Sequence, residues 1–160
     1  MQPESSTAKS EPWTETRIAA LWSDGPPGET ELELSRHKLS LKATGNPYLL
    51  VHLLSYIGRA QALQNKLEAA YETLNEADYV MLEAASRDKH ETPVRYRCWL
   101  RYLIERGNLF AVSGWDESAF NCWTEGRQMA VDLNYLDLLK EFDAHLSRLR
   151  PAPAADSDAE

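Results

Sequence analysis

Ser113-Gly114-Trp115-Asp116-Glu117-Ser118-Ala119-Phe120-Asn121-Cys122-Trp123-Thr124-Glu125-Gly126 crowds Ser, Asp, Glu, Cys and two Trp into fourteen residues, the composition of an active-site loop. The chain contains a second version of it. Shifted by 49 residues, Gln64-Asn65-Lys66-Leu67-Glu68-Ala69-Ala70-Tyr71-Glu72-Thr73-Leu74-Asn75-Glu76-Ala77 falls beneath it. Ala70 then meets Ala119, Tyr71 meets Phe120, Leu74 meets Trp123, Glu76 meets Glu125 and Ala77 meets Gly126. Upstream, Leu54 meets Leu103 and Gly58 meets Gly107. Internal repetition of this kind marks architecture before chemistry. The stretch reads as a turn followed by the start of a packing helix, with Asp116 and Glu117 suited to a helix N-terminus. Trp115, in the turn itself, is a candidate exposed contact residue.

The matched pairs lie on helical stripes. Apolar residues recur every three or four positions at Leu50, Leu54, Ile57 and Ala60, and at Leu67, Ala70, Leu74, Ala77 and Met81. The same spacing joins Trp99, Leu103, Gly107 and Phe110, then Ala119, Trp123, Gly126 and Ala130, then Leu136, Leu139, Phe142, Leu146 and Leu149. Gly45-Asn46-Pro47 and Thr92-Pro93 are helix starts, each with Pro at the first helical position. An N-terminal pair is expected from Trp13, Ile18, Leu21 and Trp22 and from Leu32, Leu34, Leu39 and Leu41, joined by Asp24-Gly25-Pro26-Pro27-Gly28. No segment alternates with period two for long enough to predict a strand. The fold class is therefore all-α, with about seven helices expected on this periodicity.

Gly inside a helix costs about 1 kcal/mol against Ala, so Gly58, Gly107 and Gly126 need a reason. Close approach of antiparallel helices supplies it: Gly58 with Ala70 and Ala77, and Gly107 with Ala119 and Gly126, leave room for large residues opposite. On these residues the chain resembles the tetratricopeptide repeat family. Gly107, Phe110, Gly114, Ala119, Trp123 and Gly126 match its pattern. Leu54, Ile57, Gly58, Ala70, Leu74 and Ala77 match it with departures at Gln61, usually apolar, and Asn65, usually Gly. Arg106 departs in the second unit. The 49-residue spacing exceeds the family's ~34-residue unit, the surplus lying in 86–91 and in lengthened helices. The resemblance implies a right-handed stack of antiparallel helix pairs over residues 11–149. Its clearest units are 47–85 and 93–133, and 135–149 is a capping helix. Residues 1–10 and 150–160, rich in Pro, Ala, Ser and acids, are expected to be disordered tails.

Composition narrows the function. Of 160 residues, 43% are hydrophobic and 26% charged, ordinary for a globular domain. A net charge of −8 opposes nucleic-acid binding, and no apolar run predicts a signal peptide or membrane span. A cytoplasmic location is expected. Cys98 and Cys122 have no CxxC or His spacing beside them and read as buried free thiols. His37, His52, His90 and His145 lack paired ligand spacing, so no metal site is expected, and their reading is as surface or groove residues. Nucleotide and hydrolase signatures are absent, and no cofactor is expected. Glu29, Glu31 and Glu33 read as a solvated helix face.

One segment runs against the overall charge. Val94 to Val112 holds Arg95, Arg97, Arg101 and Arg106 against Glu105, a local +3 that leaves −11 for the remainder. Arg97, Arg101, Glu105 and Asn108 follow helical spacing as one polar stripe. The family resemblance implies a concave groove lined by the first helices of successive units. Here His52, Ser55 and Arg59 would share it with Arg97, Arg101, Ile104 and Asn108, the arginines gripping carboxylates of a partner. Arg101→Ala is then expected to weaken partner binding and leave helicity and melting unchanged. The leading function is a non-enzymatic adaptor presenting this groove to a peptide or helix. Two alternatives are a chaperone-like holder and a small-molecule regulator or enzyme using the same groove. The final helix offers a homodimer surface.

Overall fold

The computed structural model describes residues 11–88 and 92–149, and every regular element among them is an α-helix. The chain runs α1 (Glu15–Ala19), α2 (Pro27–Arg36), α3 (Lys38–Ala43), α4 (Pro47–Leu63), α5 (Leu67–Arg87), α6 (Pro93–Val112), α7 (Asp116–Asp132) and α8 (Leu136–Arg148). Only His37 separates α2 from α3, so the expected second N-terminal helix is present as two segments. The tails expected at 1–10 and 150–160, and His90, lie outside the described residues.

α4 is the centre. Asn46 caps it, its Oδ1 accepting from the backbone N of Tyr48 at 3.1 Å and of Leu49 at 3.3 Å, and Pro47 opens the first turn. Helices α1, α2, α3, α5 and α6 all pack on it. Where periodicity predicts one apolar face, burial extends right round the helix and takes in His52 and Ser55. Such a helix has no solvent stripe to keep polar.

A single turn is used three times. Asn65, Gly114 and Asn134 take left-handed backbone with φ of 59°, 80° and 59°. The residue after each closes the preceding helix through its N–H: Lys66 to Gln61 O at 3.0 Å, Trp115 to Phe110 O at 2.8 Å, Tyr135 to Ala130 O at 2.9 Å. This six-to-one bond at a left-handed residue is the Schellman stop, for which Asn substitutes for Gly. The hairpins α4–α5, α6–α7 and α7–α8 thus turn alike.

Their packing also repeats. A Cβ on Gly58 would lie 2.9 Å from Leu74 of the facing helix; on Gly107 it would overlap the Trp123 indole, and on Gly126 the Phe142 ring. In all three the large residue follows the glycine by 16 positions. Gly126 therefore serves α8, not α6, which corrects the expected pairing of Gly107 with Gly126. The departures from the repeat have partners. Gln61 donates to Glu31 of α2 at 3.3 Å and accepts from Thr73 of α5 at 2.7 Å. Arg106 donates to Asn75 at 2.9 Å and lies over the Tyr71 and Phe110 rings.

Some faces differ from expectation. Leu34 and Leu41, seven positions apart, are buried on one face, but Leu32 and Leu39 are exposed, because residues two apart on a helix point to nearly opposite sides. In α8, Leu138 and Phe142 enter the core while Leu136 is 60% exposed. Glu31 is no solvated residue: Gln61, Gln64 and Lys66 converge on it, and these bonds hold its carboxyl below the usual range against the opposing effect of burial. No helix among the described residues is long and apolar enough to cross a membrane.

Candidate interaction groove

α4 and α6 lie side by side; His52, Arg97 and Arg101 line one hollow with residues of α1 and α8, and Arg59 and Asn108 line another with residues of α8. The exposure of the expected lining residues is not what the stripe predicts. His52 (5% exposed), Ser55 (0%), Arg101 (9%) and Ile104 (1%) are buried, whereas Arg59, Arg97 and Asn108 are half-buried. Ser55 Oγ donates to Val51 O at 2.7 Å, and Ile104 O accepts from Trp123 Nε1 at 3.2 Å, so both serve the scaffold.

The arginines already hold carboxylates, and these belong to the chain. Arg97 Nε donates to Glu15 of α1 at 2.9 Å, while its Nη1 and Nη2 donate to Asp137 of α8 at 3.2 and 2.6 Å. Hydrogen bonding to Arg97 keeps the Asp137 carboxyl below its ordinary range. Arg101 grips Glu141 of α8 through two bonds of 2.8 Å each and stands 3.6 Å from Glu105, with Tyr56 beneath it. A side chain so placed cannot be removed without cost. The expectation that Arg101→Ala leaves melting unchanged is therefore corrected. The first and last helices, and Trp22 just after the first, were missed as lining because their partners stand so far away in sequence: Glu15 and Arg97 are 82 residues apart.

Burial sets the electrostatics. It drives His52 down to about 3, with Arg101 and Arg97 adding to the effect, so the imidazole is neutral. Burial pushes the Glu105 carboxyl up, opposed by Arg59 at 4.0 Å and by Arg101. Glu105 Oε2 accepts from Asn108 Nδ2 at 3.1 Å, but Oε1 has no hydrogen-bond partner; nor have His52 Nδ1 and Arg101 Nε. Two hollows flank this cluster. One, of about 200 Å³, lies where Thr16 and Ala19 of α1 face His52, Arg101 and Asp137. The other, about 400 Å³, opens at the C-terminal ends of α4 and α6, where Leu63, Val112 and Leu149 form walls, Arg59 and Arg148 the rim, and Glu105 lies within.

The opening stretch is less reactive than its composition. Burial pushes the Cys122 thiol up to about 11 and the Cys98 thiol higher still, away from a nucleophilic thiolate. His145 stacks on Trp123 at 5.0 Å and does not hydrogen-bond Ser118 or Cys122. Trp115 is 55% exposed, stacked on Phe110 at 5.8 Å. No group of three or more His, Cys, Asp or Glu among the described residues is arranged to hold a metal. Over its described residues the molecule is an all-α protein in which successive long helices pair as hairpins. Compared with family models, with curated proteins and with solved structures, the chain matches none.

Proposed function

We propose that the protein is a non-catalytic helical-repeat adaptor of tetratricopeptide type that receives a peptide segment of another protein between α4, α6 and α8. Support for the repeat reading comes from the recurring turn at Asn65 and Gly114 and from the recurring contact of Gly58 with Leu74 and Gly107 with Trp123. The observation that carries the binding reading is the cleft of about 400 Å³. Leu63 and Val112, both 58% exposed, offer apolar surface at its mouth, and two guanidiniums on its rim favour a partner with a carboxylate beside an apolar side chain. Selection of a displayed peptide library on the wild-type chain, with Val112→Asp as the counter-target, tests this. Clones that require Val112 and carry an acid next to an apolar residue are expected; no enrichment over Val112→Asp overturns it.

A second reading, a small-molecule regulator, draws on Glu105, whose Oε1 accepts no hydrogen bond and is enclosed beside an apolar cleft. A small amine or amide that raises the melting temperature of the wild type but not of Glu105→Leu would favour it.

A further inference from the structure

The N-terminal half of the groove is not empty, and what fills it defines what it accepts. Residues 13–22 lie across the face made by His52, Tyr56 and Arg59 of α4 and by Arg97 of α6. Trp13 is held outside this face, its Nε1 donating to Ser40 at 3.3 Å and its ring edge-on to His37, and three side chains attach the segment to the face itself: Glu15 on Arg97, Ile18 fully buried, and Trp22, whose ring stands 5.9 Å from Tyr56 with the Arg59 guanidinium 4.4 Å above it. The helix of this segment is five residues long, and the linker that follows, Ser23-Asp24-Gly25-Pro26, belongs to no helix. Short helices of this length are not stable by themselves, so the segment depends on its docking.

The fit is incomplete at one place. Thr16, Ala19, His52 and Arg101 line the hollow of about 200 Å³, and His52 Nδ1 and Arg101 Nε are buried beside it without hydrogen-bond partners. Leaving buried polar atoms unpaired is costly, and the short side chains at 16 and 19 do not reach them. One primary amide would serve both, its oxygen accepting from Arg101 Nε–H and its NH2 donating to a neutral imidazole nitrogen.

We infer that residues 13–22 occupy the groove as a cis stand-in for a partner helix that carries the same pattern, an acid at position 15, Ile at 18 and Trp at 22, but with Gln or Asn at position 19. This rests on the reading of the protein as a helical interaction module and names a partner for the half of the groove that the open cleft does not include. The partner displaces the cis segment because it makes the same three attachments and also satisfies the two orphaned atoms.

Two labelled peptides test it against the full chain by fluorescence anisotropy: Glu-Pro-Trp-Thr-Glu-Thr-Arg-Ile-Ala-Ala-Leu-Trp-Ser-Asp, which is residues 11–24, and the same peptide with Ala19→Gln. The Gln peptide is expected to bind at least tenfold tighter than the native sequence. Ile18→Asp in the chain, which dislodges the cis segment, strengthens both peptides tenfold or more, and Arg97→Gln abolishes the gain. Ala19→Gln placed in the chain itself does the reverse, raising the melting temperature and weakening peptide binding about tenfold. If Ile18→Asp fails to fold by circular dichroism, Glu15→Gln, which loosens only the Arg97 contact, replaces it. Equal affinity of the two peptides, binding that survives Arg97→Gln, or a wild-type chain that exchanges its own segment as a swapped dimer in light scattering overturns the inference. Library clones that depend on Val112 would leave the adaptor reading standing in that event.

Discussion

Arg101 and Glu105 show how far a stripe of charges can differ from a free binding surface. Glu105 is fully enclosed, and Arg101 is the nearer of its two cations. Replacing Arg101 by Met removes that cation and the paired bonds to Glu141, leaving Arg59 at 4.0 Å as the remaining counter-charge. Breaking a buried pair from one side costs about 3–5 kcal/mol, whereas replacing both ions by apolar residues is often neutral. Urea unfolding is therefore expected to show a loss of that size for Arg101→Met and a much smaller one for Arg101→Met with Glu105→Leu; additive losses would refute the coupling. His52 gives a second residue-scale test. Its folded pKa of about 3 lies below its ordinary value of 6.5, so as pH falls the unfolded chain takes up the proton first. The stability is present above pH 6.5 and is lost toward pH 3, at about 1.4 kcal/mol per pH unit within that window. Glu15 from α1, Asp137 from α8 and Arg97 and Arg101 from α6 face the imidazole; the raised pKa of Glu105 acts in the opposite sense, and His145, lowered mainly by burial, in the same sense. Between pH 6.5 and 5.5, His52→Leu should lose about 1 kcal/mol less than the wild type in urea midpoints. Parallel curves would show that the ring does not titrate on unfolding.

The helix hairpins depend on glycines that no side chain can replace without moving its partner. Gly107→Ala gains helix propensity, yet its Cβ meets the Trp123 indole, which is held by its bond to Ile104 O and cannot retreat freely. Overpacking of about 1–3 kcal/mol is expected, and Gly58→Ala should cost less because Leu74 can change rotamer. A reversed order in thermal melts would deny the indole that restraint. This level of organisation was legible in the chain: Asn46-Pro47 and Pro93 open helices where they stand, and the small residues at 58 and 107 announce the close approaches. The third hairpin was not read from the chain, although Gly126 and Phe142 stand 16 positions apart like the other two pairs, because Gly126 was assigned to the approach of α7 and α6. Nor was the burial of Arg101, since periodicity assigns a face to a helix but not what covers that face. α8 shows the consequence. It was read as a cap or a dimer surface, and its Leu138 and Phe142 face inward. Ending the chain at Asn134 uncovers the Trp123 ring on which His145 stacks and removes Asp137 from Arg97 and Glu141 from Arg101. The lost Leu138 and Phe142 side chains alone represent about 3–6 kcal/mol, so the truncated chain should melt far lower. An unchanged melting temperature would show that α8 is dispensable.

At the scale of the molecule, the first and the last described helices return to the same helix. Arg97 of α6 holds Glu15 of α1 and Asp137 of α8, so a single guanidinium ties both helices to α6. The helices are unevenly secured. α4 is buried along nearly its whole length, with Val51, Leu53 and Leu54 fully enclosed, whereas α1 contributes one fully buried residue, Ile18. Regions with few buried apolar contacts open locally at lower free energy than the core. Amide hydrogen exchange should therefore separate three classes. The N–H groups of Leu53, Leu54, Leu103 and Ile104 exchange only with global unfolding. Those of Ile18, Leu21 and Trp22, bonded to Thr14, Ile18 and Ala19, exchange early through local opening. The first turns of α8 lie between. Arg97→Gln then has a defined signature: protection falls at Ile18 to Trp22 and at Leu139, while the α4 and α6 amides hold their rates within error. An equal loss at Leu53 and Leu54 would mean that Arg97 supports the core itself. Unchanged protection at Ile18 would mean that the first helix is held by Ile18 and Trp22 without help from the bracket. Only the selective pattern fits a bracket in which Arg97 ties α1 and α8 to α6.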